Sequence, residues 1–246
     1  MSGVFVLGGT GGLGRAICLG FARAGVPLAF SWHSNANAAV NLREAISAHG
    51  VAAHDVRLDA RDGTATTGAA DDAAAALGGL HGVIYAGGPP FTPQFFGRTD
   101  AATWREWLDG DVMAAINLAQ AGLPHLRATN GAFVAISSYQ GAMIEVRGGV
   151  SAICKAAIDR MIAVIAKEEG RYGVRANAVR CGWIESPTND RLFAAMPELR
   201  ESKAKSIPLG RLGRGDDVAE VVLFLCSAAA SYVTGNILTL DGGESL

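Results

Sequence analysis

A glycine-rich stretch near the start of the chain carries the first chemical signal. Gly8, Gly12 and Gly14, within Leu7-Gly8-Gly9-Thr10-Gly11-Gly12-Leu13-Gly14-Arg15, form a G-x-x-x-G-x-G pattern. The pattern follows an apolar run at residues 4–7 and opens a helical pattern that begins near Leu13. Three demands call for glycine here: a tight turn with positive φ, bare backbone that a phosphate can approach, and close packing of helix on strand. Unpaired N–H groups at the helix N-terminus then hold anionic oxygens. Placed directly between a strand and a helix, the loop reads as a dinucleotide pyrophosphate site.

The end of the second apolar run bears on which dinucleotide. An enzyme that uses NAD usually places Asp or Glu there, about 20 residues beyond the loop, for the ribose 2′-hydroxyl. This chain has Ser31-Trp32-His33-Ser34-Asn35 and no acid until Glu44. A carboxylate repels a 2′-phosphate, whereas hydroxyls, an amide and an imidazole can donate to it. His33 and Ser34 therefore favour NADP(H), with NAD the less favoured cofactor.

These groups need a scaffold, and the apolar runs supply one. Strand candidates at residues 4–7, 28–32, 52–58, 82–86, 132–137, 175–179 and 237–240 alternate with helical patterns such as 13–24, 38–48 and 152–168. That alternation gives βαβ units and a parallel sheet covered on both faces. Right-handed crossovers limit the topology to a single-domain, Rossmann-type α/β fold: a doubly wound parallel sheet of about seven strands flanked by helices, spanning residues 1–246. Residues 63–79, rich in Ala and Gly, are the compositionally weak stretch.

Composition excludes several classes. The 246 residues carry a net charge of −2 and are 50% hydrophobic, which gives neither a basic nucleic-acid footprint nor a disordered chain. Cys18, Cys154, Cys181 and Cys226 are scattered, with no metal-ligand spacing, so reduced thiols and no metal are expected. No apolar run approaches the length of a membrane span, and Met1-Ser2-Gly3 lacks a basic n-region. A cytoplasmic protein with no membrane or nucleic-acid partner is expected.

Taken together the motifs resemble the short-chain dehydrogenase/reductase family, in the form nearest to 3-oxoacyl carrier-protein reductases. Besides the glycine loop, Asp59 resembles the family's adenine-ring aspartate, and Ile84-Tyr85-Ala86-Gly87 sits where the family carries Asn-Asn-Ala-Gly. Arg175-Ala176-Asn177-Ala178-Val179, then Gly182-Trp183-Ile184-Glu185-Ser186-Pro187, resemble its R-x-N-x-V…P-G-x-I-x-T segment. The tail, with Pro208-Leu209-Gly210-Arg211, Tyr232-Val233-Thr234-Gly235 and Asp241-Gly242-Gly243, extends the likeness over essentially the whole chain. The cofactor contacts implied are Gly8, Thr10, Gly11, Gly12, Leu13, Gly14, His33, Ser34, Asp59, Ala60, Ala86, Gly87, Lys155, Gly182, Ile184 and Ser186.

The same resemblance implies an Asn–Ser–Tyr–Lys active site, and here the chain departs from it. Ser138 matches the serine that hydrogen-bonds the substrate oxygen, and Lys155 the lysine that holds the nicotinamide ribose and lowers the tyrosine pKa. The tyrosine, the usual general acid, is replaced by Ser151, and the asparagine by Asp111. Positions four apart share a helix face, so Ser151 and Lys155 still point together. Ser138 keeps the family's interval of thirteen residues to Ser151, so no alignment gap hides a tyrosine. Serine is a far weaker acid than a phenol, and losing one general acid typically costs ~10²–10⁴ in rate.

Three substitutes are open. Tyr139 brings a phenol near the site, as in mitochondrial dienoyl-CoA reductases, although the match falls nearer Gln140. Asp111 with a bound water is the second, or else Asp111 simply pairs with Lys155. Water held by Ser138 and Ser151 is the third. Cys154 faces away from Lys155 on the helix and reads as core packing, while Glu145 and Arg147 are loop charges that could enter the substrate mouth.

Residues 88–98, with three prolines and three phenylalanines, are expected to line an apolar pocket with Trp183 and a mobile stretch at 186–207. A hydrophobic ketone, an aromatic or polyketide-like carbonyl, or an acyl thioester fits such a pocket; Arg98, Lys203 and Lys205 could meet a phosphopantetheine or be ordinary surface cations. By resemblance, the long helices at 101–126 and 152–170 form the face of a homodimer or homotetramer. The expected function is an NADP(H)-dependent carbonyl reductase with a non-standard proton donor. A dienoyl- or enoyl-type double-bond reductase, a silent dinucleotide-binding subunit, and non-redox chemistry on the same fold are the alternatives.

Overall fold

A computed structural model describes residues 2–246 of the chain. Seven strands, β1 (Gly3–Leu7), β2 (Leu28–Trp32), β3 (Ala53–Arg57), β4 (Leu80–Tyr85), β5 (Ala132–Ser138), β6 (Arg175–Cys181) and β7 (Ile237–Leu240), pair in the order β3-β2-β1-β4-β5-β6-β7. Every pairing is parallel, as alternating apolar runs and helical patterns require. The strand order reverses between β1 and β4, and a ligand crevice belongs at such a switch point.

The helices divide between the two faces of the sheet. On one face α1 (Gly12–Arg23), α2 (Ala36–Ser47) and α9 (Gly215–Cys226) cover Val4, Val6, Ile84, Val134 and Val179. On the other, α3 (Gly63–Leu77), α5 (Ala114–Thr129) and α6 (Gly149–Glu169) cover Phe5, Leu7, Val83, Tyr85, Phe133 and Ala135. Alternate residues of β4 therefore face opposite cores, and this sends Tyr85 toward α5 and α6.

Three segments carry structure that the apolar runs did not specify. Residues 63–79 are not structurally weak: Asp62 caps α3 by accepting from Ala65 N at 3.0 Å, and Ala69, Ala70, Ala73 and Leu77 are buried against α5. Small side chains make that close helix packing possible. The stretch 101–126 is not one regular helix; α4 (Ala101–Trp107) passes through a π turn (Leu108–Met113) into α5. Such a turn is frequently found at functional sites, and here it carries Asp111 into the core. The stretch 186–207 is folded as α7 (Pro187–Ala195) and α8 (Pro197–Ser206), with Phe193, Ile207 and Leu212 buried beside Trp183.

The C-terminal motifs have a structural task. Asn177, fully buried in β6, donates to Val233 O at 2.9 Å and accepts from Asn236 N at 3.0 Å. That side chain ties the Tyr232–Gly235 turn to the sheet and sets the entry of β7.

Candidate active site

The glycine loop leaves β1 and turns into α1 with little room to spare. Gly8 has φ +82°, and a Cβ there would stand 2.7 Å from Ala86 O; one on Gly14 would lie 2.1 Å from Gly8 O. Ser31 Oγ accepts from Gly8 N at 3.0 Å and fixes the turn to β2. Gly11 caps α1 without a side-chain hydrogen bond, and no acid stands in the first turn. The N–H groups of a twelve-residue helix are thus left to an anion. A bare, uncapped helix start facing a groove fits the pyrophosphate of a nicotinamide dinucleotide.

Two connected cavities run along the carboxyl ends of the strands. The first, about 360 Å³, lies between the loop and the ends of β2 and β3; the second, about 330 Å³, lies over β5 and α6. They share Gly11, Ala86, Gly87, Gly88 and Pro89. Of the residues expected to hold a cofactor, only Gly14 and Ser34 stay off these walls. Gly14 acts from behind, by letting the helix close on the loop, and Ser34 is exposed beside it.

At the far end of the first cavity, Asp59 is held by Arg61, whose Nε and Nη2 donate at 2.8 and 2.5 Å. The Arg61 guanidinium keeps the Asp59 carboxyl down at about 2. His33 lines the same end, and Arg57 Nε donates to its carbonyl at 3.2 Å. Arg57 escaped the sequence reading because it lies two residues before the recognised aspartate, on an exposed strand position.

The second cavity gathers Ser138, Ser151, Lys155 and Tyr139 on one wall. Beneath it lies Asp111, fully buried, its Oδ1 2.8 Å from Lys155 Nζ. The expected pairing of Asp111 with Lys155 is therefore what the π turn produces, and the carboxylate reaches the cavity only through the amine. Gly88 covers the pair: with φ +138°, a Cβ on it would touch Asp111 Oδ1 at 3.3 Å and Lys155 Nζ at 3.6 Å. Tyr85, from β4, completes the cluster by donating to Asp111 Oδ1 at 2.8 Å, with the Asp111 carbonyl at 2.9 Å. Burial, then the Asp111 charge, pushes the Tyr85 phenol well above its ordinary value. The role of Tyr85 was missed, although the alternation along β4 was enough to send it toward α5 and α6.

Tyr139 donates its hydroxyl proton to Glu145 Oε1 at 2.5 Å. Burial, then that carboxylate, raises the phenol above its usual range, which makes it a poor acid. Burial disfavours the Glu145 anion, yet donation from Tyr139 and Lys203 holds its carboxyl below the usual value. Lys203, on α8, also reaches Glu244 and stands 4.7 Å over the Trp183 ring, so it is tied into the wall. Lys205 pairs with Glu201, Arg98 stacks on Phe95, and Arg147 donates to Pro93 O. Cys154 is buried against Trp107 and Val150, and burial pushes its thiol up to about 11.

The aromatic wall differs from expectation. Phe91, set edge-on to Trp107 at 6.2 Å, lines the cavity with Trp183. Phe95 and Phe96 do not; both are exposed, and Phe96 packs on Trp104. Trp107 was not singled out in the sequence because it sits inside a helical pattern.

A uniform relationship emerges when this architecture is compared with known proteins. A family model described as enoyl-(acyl carrier protein) reductase matches residues 8–245. The chain belongs to the short-chain dehydrogenase/reductase family. It is 31% identical over 97% of its length, and 94% of the relative's, to cis-4-hydroxycyclohexanecarboxylate dehydrogenase of Sinomonas cyclohexanicum. A 3-oxoacyl-[acyl-carrier-protein] reductase of Staphylococcus aureus is 28% identical over 97% of this chain and 96% of its own. Among solved structures, a short-chain type dehydrogenase/reductase from Mycobacterium ulcerans superposes with TM-score 0.93 at 28% identity, covering 99% of this chain and 89% of that one. A Burkholderia cenocepacia short chain dehydrogenase in complex with NADP gives TM-score 0.91 at 26% identity, over 100% and 98% of the two chains. This member of the short-chain dehydrogenase/reductase family is an oxidoreductase. Among the described residues, no helix is long and apolar enough to cross a membrane, and no His/Cys/Asp/Glu group could hold a metal.

Proposed function

We propose that this oxidoreductase reduces a hydrophobic carbonyl compound with NADP(H) and delivers the proton from Lys155 rather than from a phenol. The observation that carries the reading is the Lys155 amine, paired with buried Asp111 and opening onto the same wall as Ser138 and Ser151. When bound, the reduced nicotinamide supplies a hydride. Gly8, Gly11, Gly12 and Leu13 would hold its pyrophosphate, and Lys155 its ribose. Ser138 and Ser151 hydroxyls hold the carbonyl oxygen, the two groups that this wall offers for it. An ammonium has three N–H groups: Asp111 Oδ1 takes one at 2.8 Å, and Ile136 O stands at 3.5 Å. At 3.5 Å that carbonyl makes no strong claim, so two N–H groups face the cavity. One serves the ribose, and the proton of the other passes to the carbonyl oxygen directly or through a water in the space that Ser151 opens. Tyr139, committed to Glu145, is left out of this path.

The preference for NADP(H) rests on the β2 terminus, where residues 31–35 carry no carboxylate and His33 and Arg57 stand close by. The structural neighbour from Burkholderia cenocepacia carries NADP, which agrees with this preference. The relative from Sinomonas acts on a ring-bearing alcohol by its name, and the Phe91–Trp107–Trp183 wall suits a ring. Exposed Met113, Ile153 and Val164 on the π turn and α6 support pairing of two chains. Reduction of a conjugated double bond is a second reading, favoured by the missing phenol at position 151, since that acid serves carbonyl reduction.

The test is NADPH oxidation with a panel of cyclic ketones, enones and enoyl thioesters, in the parent and in Ser151→Tyr. Carbonyl reduction by the parent, rising about a hundredfold in Ser151→Tyr as a general acid is restored, is the expected result. An unresponsive panel despite tight NADPH binding counts against the reading, and comparable Michaelis constants for NADH and NADPH against the cofactor preference.

A further inference from the structure

The cluster below the second cavity contains one group that the proposed chemistry leaves unused. Tyr85 is fully buried, lies off the cavity wall, and spends its hydroxyl on Asp111 alone. A buried Tyr packs its ring and needs a hydrogen-bond partner for its hydroxyl. Here the hydroxyl aims at the carboxylate that holds the lysine.

The hydrogen bonds of Asp111 explain why this matters. Its Oδ1 accepts from Lys155 Nζ and from Tyr85 Oη, both at 2.8 Å, while Oδ2 is buried with no protein donor. A carboxylate wholly removed from water is costly unless donors replace the lost hydration. Asp111 is such a group, and Tyr85 supplies one of its two side-chain donors. The same hydroxyl lies 2.9 Å from the Asp111 carbonyl, so it also fixes the backbone of the π turn. Lys155 Nζ stands 5.6 Å above the Tyr85 ring centroid, within reach of a cation–π contact. The tyrosine thus contacts both partners of the ion pair, one through its oxygen and one through its ring.

These contacts also account for a coincidence in the sequence. Positions 85 and 111 are two places where the chain departs from the family pattern. They are in direct contact, and the phenol donor is what a buried carboxylate at 111 needs in place of an amide.

We propose that Tyr85 is a positioning residue: its hydroxyl clamps the Asp111 carboxylate against Lys155 and so aims the amine into the cavity. The inference rests on the proposed role of Lys155 as proton source. The other titratable groups near the pair are Cys154 on α6 and Cys181 on β6, which burial pushes up to about 11 and about 12. Tyr139 and Glu145 lie on the same cavity, the phenol raised by burial and the carboxyl held below its usual value in spite of burial. None changes charge near neutrality, and the Asp111→Asn background separates Glu145 from the pair.

The experiment compares the full chain with Tyr85→Phe, Asp111→Asn and the double variant. NADPH dissociation constants, read by calorimetry, and kcat/KM for a carbonyl are both followed against pH. A carboxylate deprived of a donor takes up a proton more readily. In Tyr85→Phe the low-pH limb of both profiles therefore moves up by about one pH unit, the weight of one hydrogen bond to a charged group. The same variant loses about tenfold in kcat with KM for the carbonyl unchanged. In the Asp111→Asn background the Tyr85→Phe exchange moves neither limb. A Tyr85→Phe loss that is equal at every pH, or equal in both backgrounds, makes Tyr85 a packing residue and overturns the proposal. If the parent reduces nothing on the panel but its NADPH-binding limb still shifts in Tyr85→Phe, the clamp stands and the proposed function falls.

Discussion

The two ends of the groove each hold a carboxylate against a cation, and they do so in different surroundings. At the outer end, Asp59 and Arg61 side chains are 41% and 55% exposed. At the inner end, Asp111 and Lys155 are 0% and 12% exposed, at a similar separation. The outer pair is two residues apart in sequence; the inner one joins a π turn to α6 across 44 positions. An exposed pair contributes about 0–1 kcal/mol, because water and salt screen it and its side chains keep other options. A buried pair is held by mutual need, and removing one partner strands the other's charge. The outer pair can be edited with little effect on the fold. The inner one is where electrostatics, folding and chemistry are joined.

That contrast is open to three tests, from the largest effect to the smallest. Asp111→Leu should lower the free energy of unfolding by about 3–5 kcal/mol, since it strands the Lys155 ammonium without its carboxylate and leaves the Tyr85 hydroxyl only the backbone carbonyl of residue 111. Chemical denaturation with the slope checked against the parent measures it; a loss below about 1 kcal/mol would place the inner pair in the same class as the outer one. Gly14→Ala tests the ground between the two ends. Its Cβ would lie 2.1 Å from Gly8 O, so a loss of about 1–3 kcal/mol is expected, as for other overpacked sites. Calorimetry should show weakened NADPH binding as the loop is pushed away from α1, and unchanged affinity would detach the loop from the cofactor.

The smallest effect belongs to Asp59. Its carboxyl titrates at about 2 in the folded chain against an ordinary 3.8. The stabilisation is present above the ordinary value and disappears as the pH falls from there through about 2. Because the pair is exposed, the loss is slight and fades in salt. Thermal melts of parent and Arg61→Ala should therefore nearly coincide at neutral pH, and a large gap between them would contradict the contrast drawn here.

The fold was legible from the chain because a parallel sheet buried on both faces writes continuous apolar runs, punctuated by helical periods. All seven strands lie where those runs place them, within about two residues at each end. Residues 63–79 were harder to place because an alanine-rich helix has no strong polar face; its burial comes from packing small side chains on α5. The lines of the candidate site were legible wherever local spacing set them. Gly8 to Gly14 lie on one turn, and Ser151 and Lys155 lie one helical turn apart.

What the chain determined alone was this local chemistry: an uncapped helix start, a lysine and a serine sharing a face, and the absence of a phenol at position 151. Backbone geometry over a few residues suffices for that. The tertiary structure alone decided who meets whom across long separations. It tied the Tyr139 hydroxyl to Glu145, left Phe95 and Phe96 outside, and brought Tyr85 under Asp111. Those outcomes depend on sheet register and on a π turn that shifts side-chain phase, and in a packed core a shift of one position exchanges one partner for another.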